Sequence, residues 1–131
     1  MTKKFLVVLG WMMLSWTSAA SDLYTGRYAT CMDQSGGITF NMLDCISEEL
    51  HRQDAWLNST YRELRDQLSP ERRQALLTAQ RLWIQYRDAN CGFYADPEGG
   101  TRATLLARDC VLRETAERAD ELRILMMMLT H

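Results

Sequence analysis

The sequence is short of the residues on which most small enzymes depend. Its 131 residues include two prolines, two histidines (His51 and His131) and only two lysines, Lys3 and Lys4. From residue 21 onward there is no lysine at all, which excludes Schiff-base and Ser-Lys chemistry. Two histidines supply neither a multi-His metal site nor a ready general base. No C-x-x-C, H-E-x-x-H, G-x-S-x-G or phosphate-binding glycine loop occurs. No metal site, no cofactor and no enzymatic activity are therefore expected. A net charge of −2 gives no basic footprint for nucleic acid, and a 47% hydrophobic share excludes wholesale disorder.

What is present begins with an export pattern. Lys3 and Lys4 precede an apolar run from Phe5 to Trp16, and Ser18-Ala19-Ala20 places small residues at the −3 and −1 positions of a signal-peptidase site. The run is shorter than the roughly 20 apolar residues a spanning helix needs, so no stable membrane anchor is expected. No cysteine follows the cleavage site to accept lipid. Residues 1–20 read as a cleaved secretory signal and 21–131 as one helical domain, periplasmic or secreted. Cleavage removes both lysines and leaves 13 arginines against all 17 acids, a net charge of −4. Such a chain favours basic partners over anionic lipid.

Cys31, Cys45, Cys91 and Cys110 form an even set in an exported chain, which reads as two disulfides. Their spacings fit no zinc pattern. The sequence-local pairing, Cys31–Cys45 and Cys91–Cys110, closes two loops of about 15–20 residues, each bridge contributing about 3 kcal/mol by chain entropy. Cys45 and Cys91 fall level with one another in the helical reading below, so a Cys45–Cys91 bridge stands as the alternative.

Apolar residues from Met42 through Ile46, Leu50, Leu57, Tyr61 and Leu64 to Leu68 recur at spacings of three, four and seven, one stripe of an amphipathic helix over 41–68. Ser69-Pro70-Glu71 stops it and starts the next, with Ser as N-cap and Pro at the first helical position. That second helix, Pro70 to about Cys91, is expected to bury Leu76, Leu77, Ala79, Trp83, Ile84 and Tyr86. Gly92 to Gly100 reads as a loop. Thr101 opens a third helix with the stripe Leu105, Leu112, Thr115, Ala119, Leu122, Met126 and Leu129. Residues 21–40, with Ser35-Gly36-Gly37, read as irregular or a short helical turn. The fold class is all-α: a small antiparallel three- to four-helix bundle with two disulfides.

The polar residues of these helices read as structural. Asn58, Gln80 and Arg87 suit hydrogen bonds tying helices together. The adjacent carboxylates Glu48-Glu49 and Asp120-Glu121 point about 100° apart and cannot flank a cleft; ion pairs such as Glu48–Arg52 and Glu114–Arg118 are the expected use. The segment 92–100 is the candidate binding element. It carries Phe93, Tyr94, Asp96 and Glu98 and is bracketed by Cys91 and Cys110, and pre-ordering of this kind reduces the entropy lost on docking.

The motif Leu57-Asn58-x-x-Tyr61, followed by Ala79-Gln80-x-x-Trp83-Ile84-x-Tyr86-Arg87-Asp88-Ala89-x-Cys91 and then Cys110, resembles the lysozyme-inhibitor LprI-like domain, a family of small exported bacterial domains. The resemblance runs from about Cys31 to Leu125. It implies a helical, disulfide-bonded periplasmic or secreted protein whose partner is a protein, lysozyme, inhibited by direct binding. Asn58, Tyr61, Gln80, Trp83, Tyr86, Arg87 and Asp88 are its structural motif residues. The sequence departs from a lipid-anchored form in lacking a lipobox cysteine. The alternative expectation is a non-inhibitory interaction or adaptor protein of the cell envelope.

Overall fold

The computed structural model describes residues 23–130, all helix, turn or irregular chain; the leader assigned to residues 1–20 lies outside the described residues. Four helices follow in order: α1 (Gly26–Gln34), α2 (Thr39–Asp66), α3 (Pro70–Tyr94) and α4 (Gly100–Thr130). Both sequence-local disulfides are present, Cys31–Cys45 with Cα atoms 5.7 Å apart and Cys91–Cys110 with Cα atoms 5.4 Å apart. Cys45 and Cys91 are thereby each committed elsewhere, which disposes of the alternative bridge.

Each junction has a local cause. At the second, Ser69 caps α3 by accepting the Arg72 amide at 3.4 Å, Pro70 occupies the first turn and Glu71 sits at its positive end. At the first, Gly36 and Gly37 take φ values of 62° and 72°, a left-handed pair that turns the chain from α1 into α2. The stretch expected to be irregular is thus partly helical. Thr25 caps the nine-residue α1, its hydroxyl accepting from the Tyr28 amide at 3.3 Å. The short helix lasts because tertiary bonds and a disulfide hold it, not because of its own propensity.

The core is a seam between α2 and α4, where Leu57, Leu64, Ala119 and Leu122 are buried and Tyr61, Leu68, Leu76, Trp83 and Met126 pack against them. Helix α2 packs most extensively on α4, while α3 lies along α4 and touches α2 little. Three polar contacts show α3 running antiparallel to α4: Asn90 to Glu114 (3.2 Å), Arg87 to Thr115 (3.5 Å) and Gln80 to Arg118 (3.1 Å). Residue numbers fall on one helix as they rise on the other. The end remote from the disulfides has packing and a Gln67–Met126 contact to close it.

This arrangement corrects the expected burial of the second helix. Leu76, Leu77 and Trp83 are half-buried, but Ala79, Ile84 and Tyr86 are exposed, and Cys91 alone on α3 is buried. The cause is geometric. A helix resting mainly on one neighbour covers a narrow stripe, here 76, 80, 83, 87 and 91, whereas the expected set of six spans more than half of the helix circumference. Leu129 is likewise exposed, near the end of the 31-residue α4.

Candidate functional site

The candidate element forms a tip at the disulfide end of the bundle. Helix α3 runs three residues past Cys91, so Phe93 and Tyr94 belong to its last turn and the loop proper is Ala95–Gly99. Phe93 is 83% exposed, and its ring meets Tyr94 edge-on with centroids 5.8 Å apart. One turn before, Cys91 is bonded to Cys110 of α4, so the aromatic pair stands on a covalently anchored base.

Three features fix the loop. The Asp96 carboxylate accepts the Glu98 amide at 2.9 Å, and the Asp96 carbonyl accepts the Gly99 amide at 3.0 Å; this is the self-bonded turn that Asp favours. Gly99 stands so close to α4 that a Cβ there would meet the Ala103 Cβ at 2.6 Å. Gly100 takes φ 60°, which a side chain would resist, and begins α4. The four residues singled out from sequence therefore divide. All four are exposed, but Asp96 spends one carboxylate oxygen on holding the turn.

The residues of the α3 motif divide by face. Gln80, Trp83, Arg87 and Cys91 look toward α4. The Arg87 guanidinium lies 5.1 Å from the Trp83 ring centroid and the Arg118 guanidinium 6.0 Å from it, so two cations share the indole. Arg118 also donates to Gln80 and to Glu121 at 2.7 Å. Tyr86 and Asp88 face solvent, Asp88 pairing with its neighbour Arg87 at 2.9 Å. On α2, Tyr61 packs on the core, but Asn58 is exposed and bonds only Asp54, one turn back on its own helix. It ties no helices together.

The expected ion pairs at spacing four do not form. Arg52 pairs with Glu49, Arg118 with Glu121 and Arg123 with Asp120, all at spacing three, and Glu114 is held by Arg113 and Asn90. Among these, Glu49 is the residue that sequence reasoning missed. It is fully buried and receives the Thr25 amide (2.9 Å) and hydroxyl (2.7 Å), Gln53 (2.8 Å) and Arg52 (2.9 Å). Burial alone would push its acidity toward the protonated form; the bonds from Thr25, Gln53 and Arg52 outweigh that and hold its pKa below the ordinary glutamate value. Gln53 also donates to the Leu23 carbonyl at 3.2 Å, so one buried acid and its neighbour dock the start of the described chain onto α2.

A cavity of about 430 Å³ opens beside this network, between α2 and α4, lined by Leu23, Gln53, Trp56, Ala116, Ala119 and the Asp120–Arg123 pair. Among the described residues, no group of three or more His, Cys, Asp or Glu is placed to hold a metal ion, and no helix is long and apolar enough to cross a membrane.

Comparison with known proteins agrees with this architecture. A family model described as "Lysozyme inhibitor LprI" matches residues 31–122, from the first disulfide cysteine to the last buried leucine of α4. The chain is also similar to an uncharacterized protein of Rhizobium meliloti (strain 1021), 33% identical over 98 residues, which cover 63% of this chain and 69% of that one. No solved structure matches it.

Proposed function

Because the chain belongs to the LprI lysozyme-inhibitor family, we propose that it is an exported binding protein that inhibits a muramidase by occluding its cleft, with the tip after Cys91 as the inserting element. The observation that carries this reading is the exposure of Phe93 at the end of a bonded, turn-locked support. Aromatic anchors that enter a partner's pocket dominate interface energetics, and a support fixed in advance spares the ordering cost of docking.

Charge supports the same assignment. With residues 1–20 removed the protein carries −4, which favours encounter with a basic enzyme. Glu98 is exposed and makes no ion pair among the described residues, leaving it available to a cleft cation. Lysozyme hydrolyses its substrate with two carboxylates, which an inhibitor acid would repel. Arg102, exposed two residues past Gly100, offers those carboxylates a countercharge. Residues 1–20 act as the cleaved signal in this reading and 21–131 as the single mature domain, so the purified secreted form should begin at Ser21 by intact mass.

The test is clearance of a cell-wall suspension by lysozymes of several types, with and without the oxidised protein in micromolar excess. Inhibition that weakens at least about tenfold in Phe93→Ala, with unchanged thermal stability, is the expected result for a hot-spot residue. No inhibition of any type would overturn the reading. Stable capture of an envelope protein without an effect on lysis would assign the chain to the non-inhibitory alternative.

A further inference from the structure

The cavity between α2 and α4 holds a polar atom that the fold leaves without a partner. Gln53 is 2% exposed and lines the cavity. Its amide nitrogen spends both protons within the protein, donating to the Leu23 carbonyl at 3.2 Å and to Glu49 at 2.8 Å. Those two bonds fix which end of the amide is nitrogen, so the carbonyl oxygen is the end left over. It receives no hydrogen bond among the described residues. None of their sealed-off side-chain polar atoms is unpaired, so this oxygen is not sealed off and opens onto the cavity. An acceptor held in a nearly buried residue is a place for a donor that the chain itself does not supply.

The rest of the lining defines the molecule to which such a donor belongs. Trp56 stands one turn along α2 from Gln53 and is 52% exposed, an indole surface on the same cavity. Ala116 and Ala119 supply the α4 wall; both are buried, and their short side chains leave the space open. Asp120 receives Arg123 on one carboxylate oxygen, with Nε at 3.0 Å, and its other oxygen has no partner among the described residues. The Ser59 hydroxyl donates to Glu63 at 3.1 Å and keeps its lone pairs. Acceptors thus predominate on the polar side. Asp120 and Arg123 are the charged residues of the described lining, and they neutralise one another. An ion of either sign would have to break that pair to find a partner. An all-carbon ligand would cover the Gln53 oxygen and leave it unpaired. What fits is neutral, rich in donors and apolar on one face.

We propose that this cavity binds a neutral sugar, with one ring face on the Trp56 indole and a ring hydroxyl or acetamido N–H donating to the Gln53 oxygen. A pyranose turns C–H bonds to its faces and polar groups to its edge, so it meets the apolar and the acceptor sides of the site together. The volume of about 430 Å³ lies within the range of about 300–1,000 Å³ for small-molecule sites and suits a disaccharide. Leu23 and Glu49 hold the Gln53 amide in place before any ligand arrives, which spares an ordering cost. Ala116 lies about 24 Å along α4 from Gly100 at the helical rise of about 1.5 Å per residue, so the cavity is separate from the tip. The sugar site therefore does not rest on the inhibitor reading, and either can fail without the other.

Titration of the oxidised protein with maltose and, separately, with di-N-acetylchitobiose, each to roughly 10 mM, tests it by proton–nitrogen NMR. Once residues 1–20 are removed, Trp56 and Trp83 are the tryptophans that remain, so Trp83 serves as an internal reference. With at least one of the sugars, the Trp56 indole and the backbone amides of Ser59, Thr60 and Asp120 should shift and saturate while the Trp83 indole stays in place. Saturation by maltose would assign the donor to a ring hydroxyl, and saturation by di-N-acetylchitobiose alone to the acetamido N–H. Trp56→Ala truncates an exposed side chain and should keep the melting temperature of the parent. Read from the same amides, it should weaken binding at least about fivefold, the size of a good aromatic contact. Because the ligand is neutral, affinity should hold between roughly 0.05 and 0.5 M salt. Saturation by neither sugar, shifts as strong in Trp56→Ala as in the parent, or an affinity that falls with salt would overturn the proposal.

Discussion

Thr25 and Glu49, separated by 24 positions, are joined twice through one carboxylate: the Thr25 amide meets one oxygen at 2.9 Å and its hydroxyl the other at 2.7 Å. The same hydroxyl accepts the Tyr28 amide to cap α1. A single buried acid therefore governs both the start of α1 and its seat on α2. Glu49→Ala would orphan the Thr25, Gln53 and Arg52 donors and should cost about 3 kcal/mol, the range for removing one member of a buried charged network. Chemical denaturation of the oxidised protein measures it, and a cost below about 1 kcal/mol would show the network to be dispensable.

The same residue sets an acid limit on stability. Its pKa is lower in the fold than in the unfolded chain, because the bonds from Thr25, Gln53 and Arg52 overcome burial. The folded state therefore binds fewer protons here. The stabilisation is present above the unfolded carboxylate range and is lost as pH falls through the lower folded value. Glu49→Gln, which cannot titrate, should flatten the acid side of the stability curve. An acid limb that is unchanged in the variant would place the pH dependence elsewhere.

Much of this architecture was legible from residue order, and the exceptions share one cause. The α2 and α4 stripes, the Ser69-Pro70 junction and the presence of two disulfides follow from periodicity, capping chemistry and cysteine count, all of which are local, whereas the choice between the local pairing and a Cys45–Cys91 bridge needed the fold. Glu49 was illegible because its burial depends on Thr25, which reaches it from another helix. The exposure of Tyr86 and Ala79 was illegible for the related reason that periodicity assigns a face but cannot say how many neighbours cover it. At the tip, the aromatic and acidic composition was visible, but the division of labour between Asp96, which locks the turn, and Glu98, which is free, needed the hydrogen bonds.

Tyr24 offers an optical test of the α1 docking. Burial chiefly, then the Asp109 carboxylate, raises its phenol to about 12, and its ring meets Tyr28 at 5.0 Å. Of the five tyrosines, it should be a late contributor to the phenolate absorbance rise. The raised value means stability that is complete below the ordinary tyrosine range of about 10 and is lost as pH climbs toward the folded value. Tyr24→Phe should diminish the late step, leaving the share of Tyr28, whose phenol burial also raises, and should reduce that alkaline slope. A late step of undiminished amplitude in the variant would contradict the docking.

Gly99 should tolerate no side chain while Ala103 stays in place. The Cβ of Gly99→Ala would stand 2.6 Å from the Ala103 Cβ, a methyl against a helix that cannot yield cheaply. A cost of about 1–3 kcal/mol is expected from such overpacking. Ala103→Gly reopens the space at a helix-propensity cost of about 1 kcal/mol, so the double variant should be more stable than the sum of the two single effects predicts. Strict additivity in thermal melts would mean that the two positions do not touch.

The two disulfides should separate stability from activity. Each closes a short loop, 14 residues of separation for Cys31–Cys45 and 19 for Cys91–Cys110, so each removal should cost a similar amount, about 3 kcal/mol. Their positions differ in consequence. Cys31–Cys45 holds α1, which lies in chain order well before the tip, whereas Cys91 stands two residues before Phe93 and anchors the turn that carries it. Replacing Cys91 and Cys110 together by serine should therefore lower target affinity at temperatures where the fold persists. The Cys31–Cys45 pair replaced in the same way should match it in lost stability and leave affinity near that of the parent. Equal losses of affinity in the two variants would show that the tip depends on the whole fold and not on its own bridge.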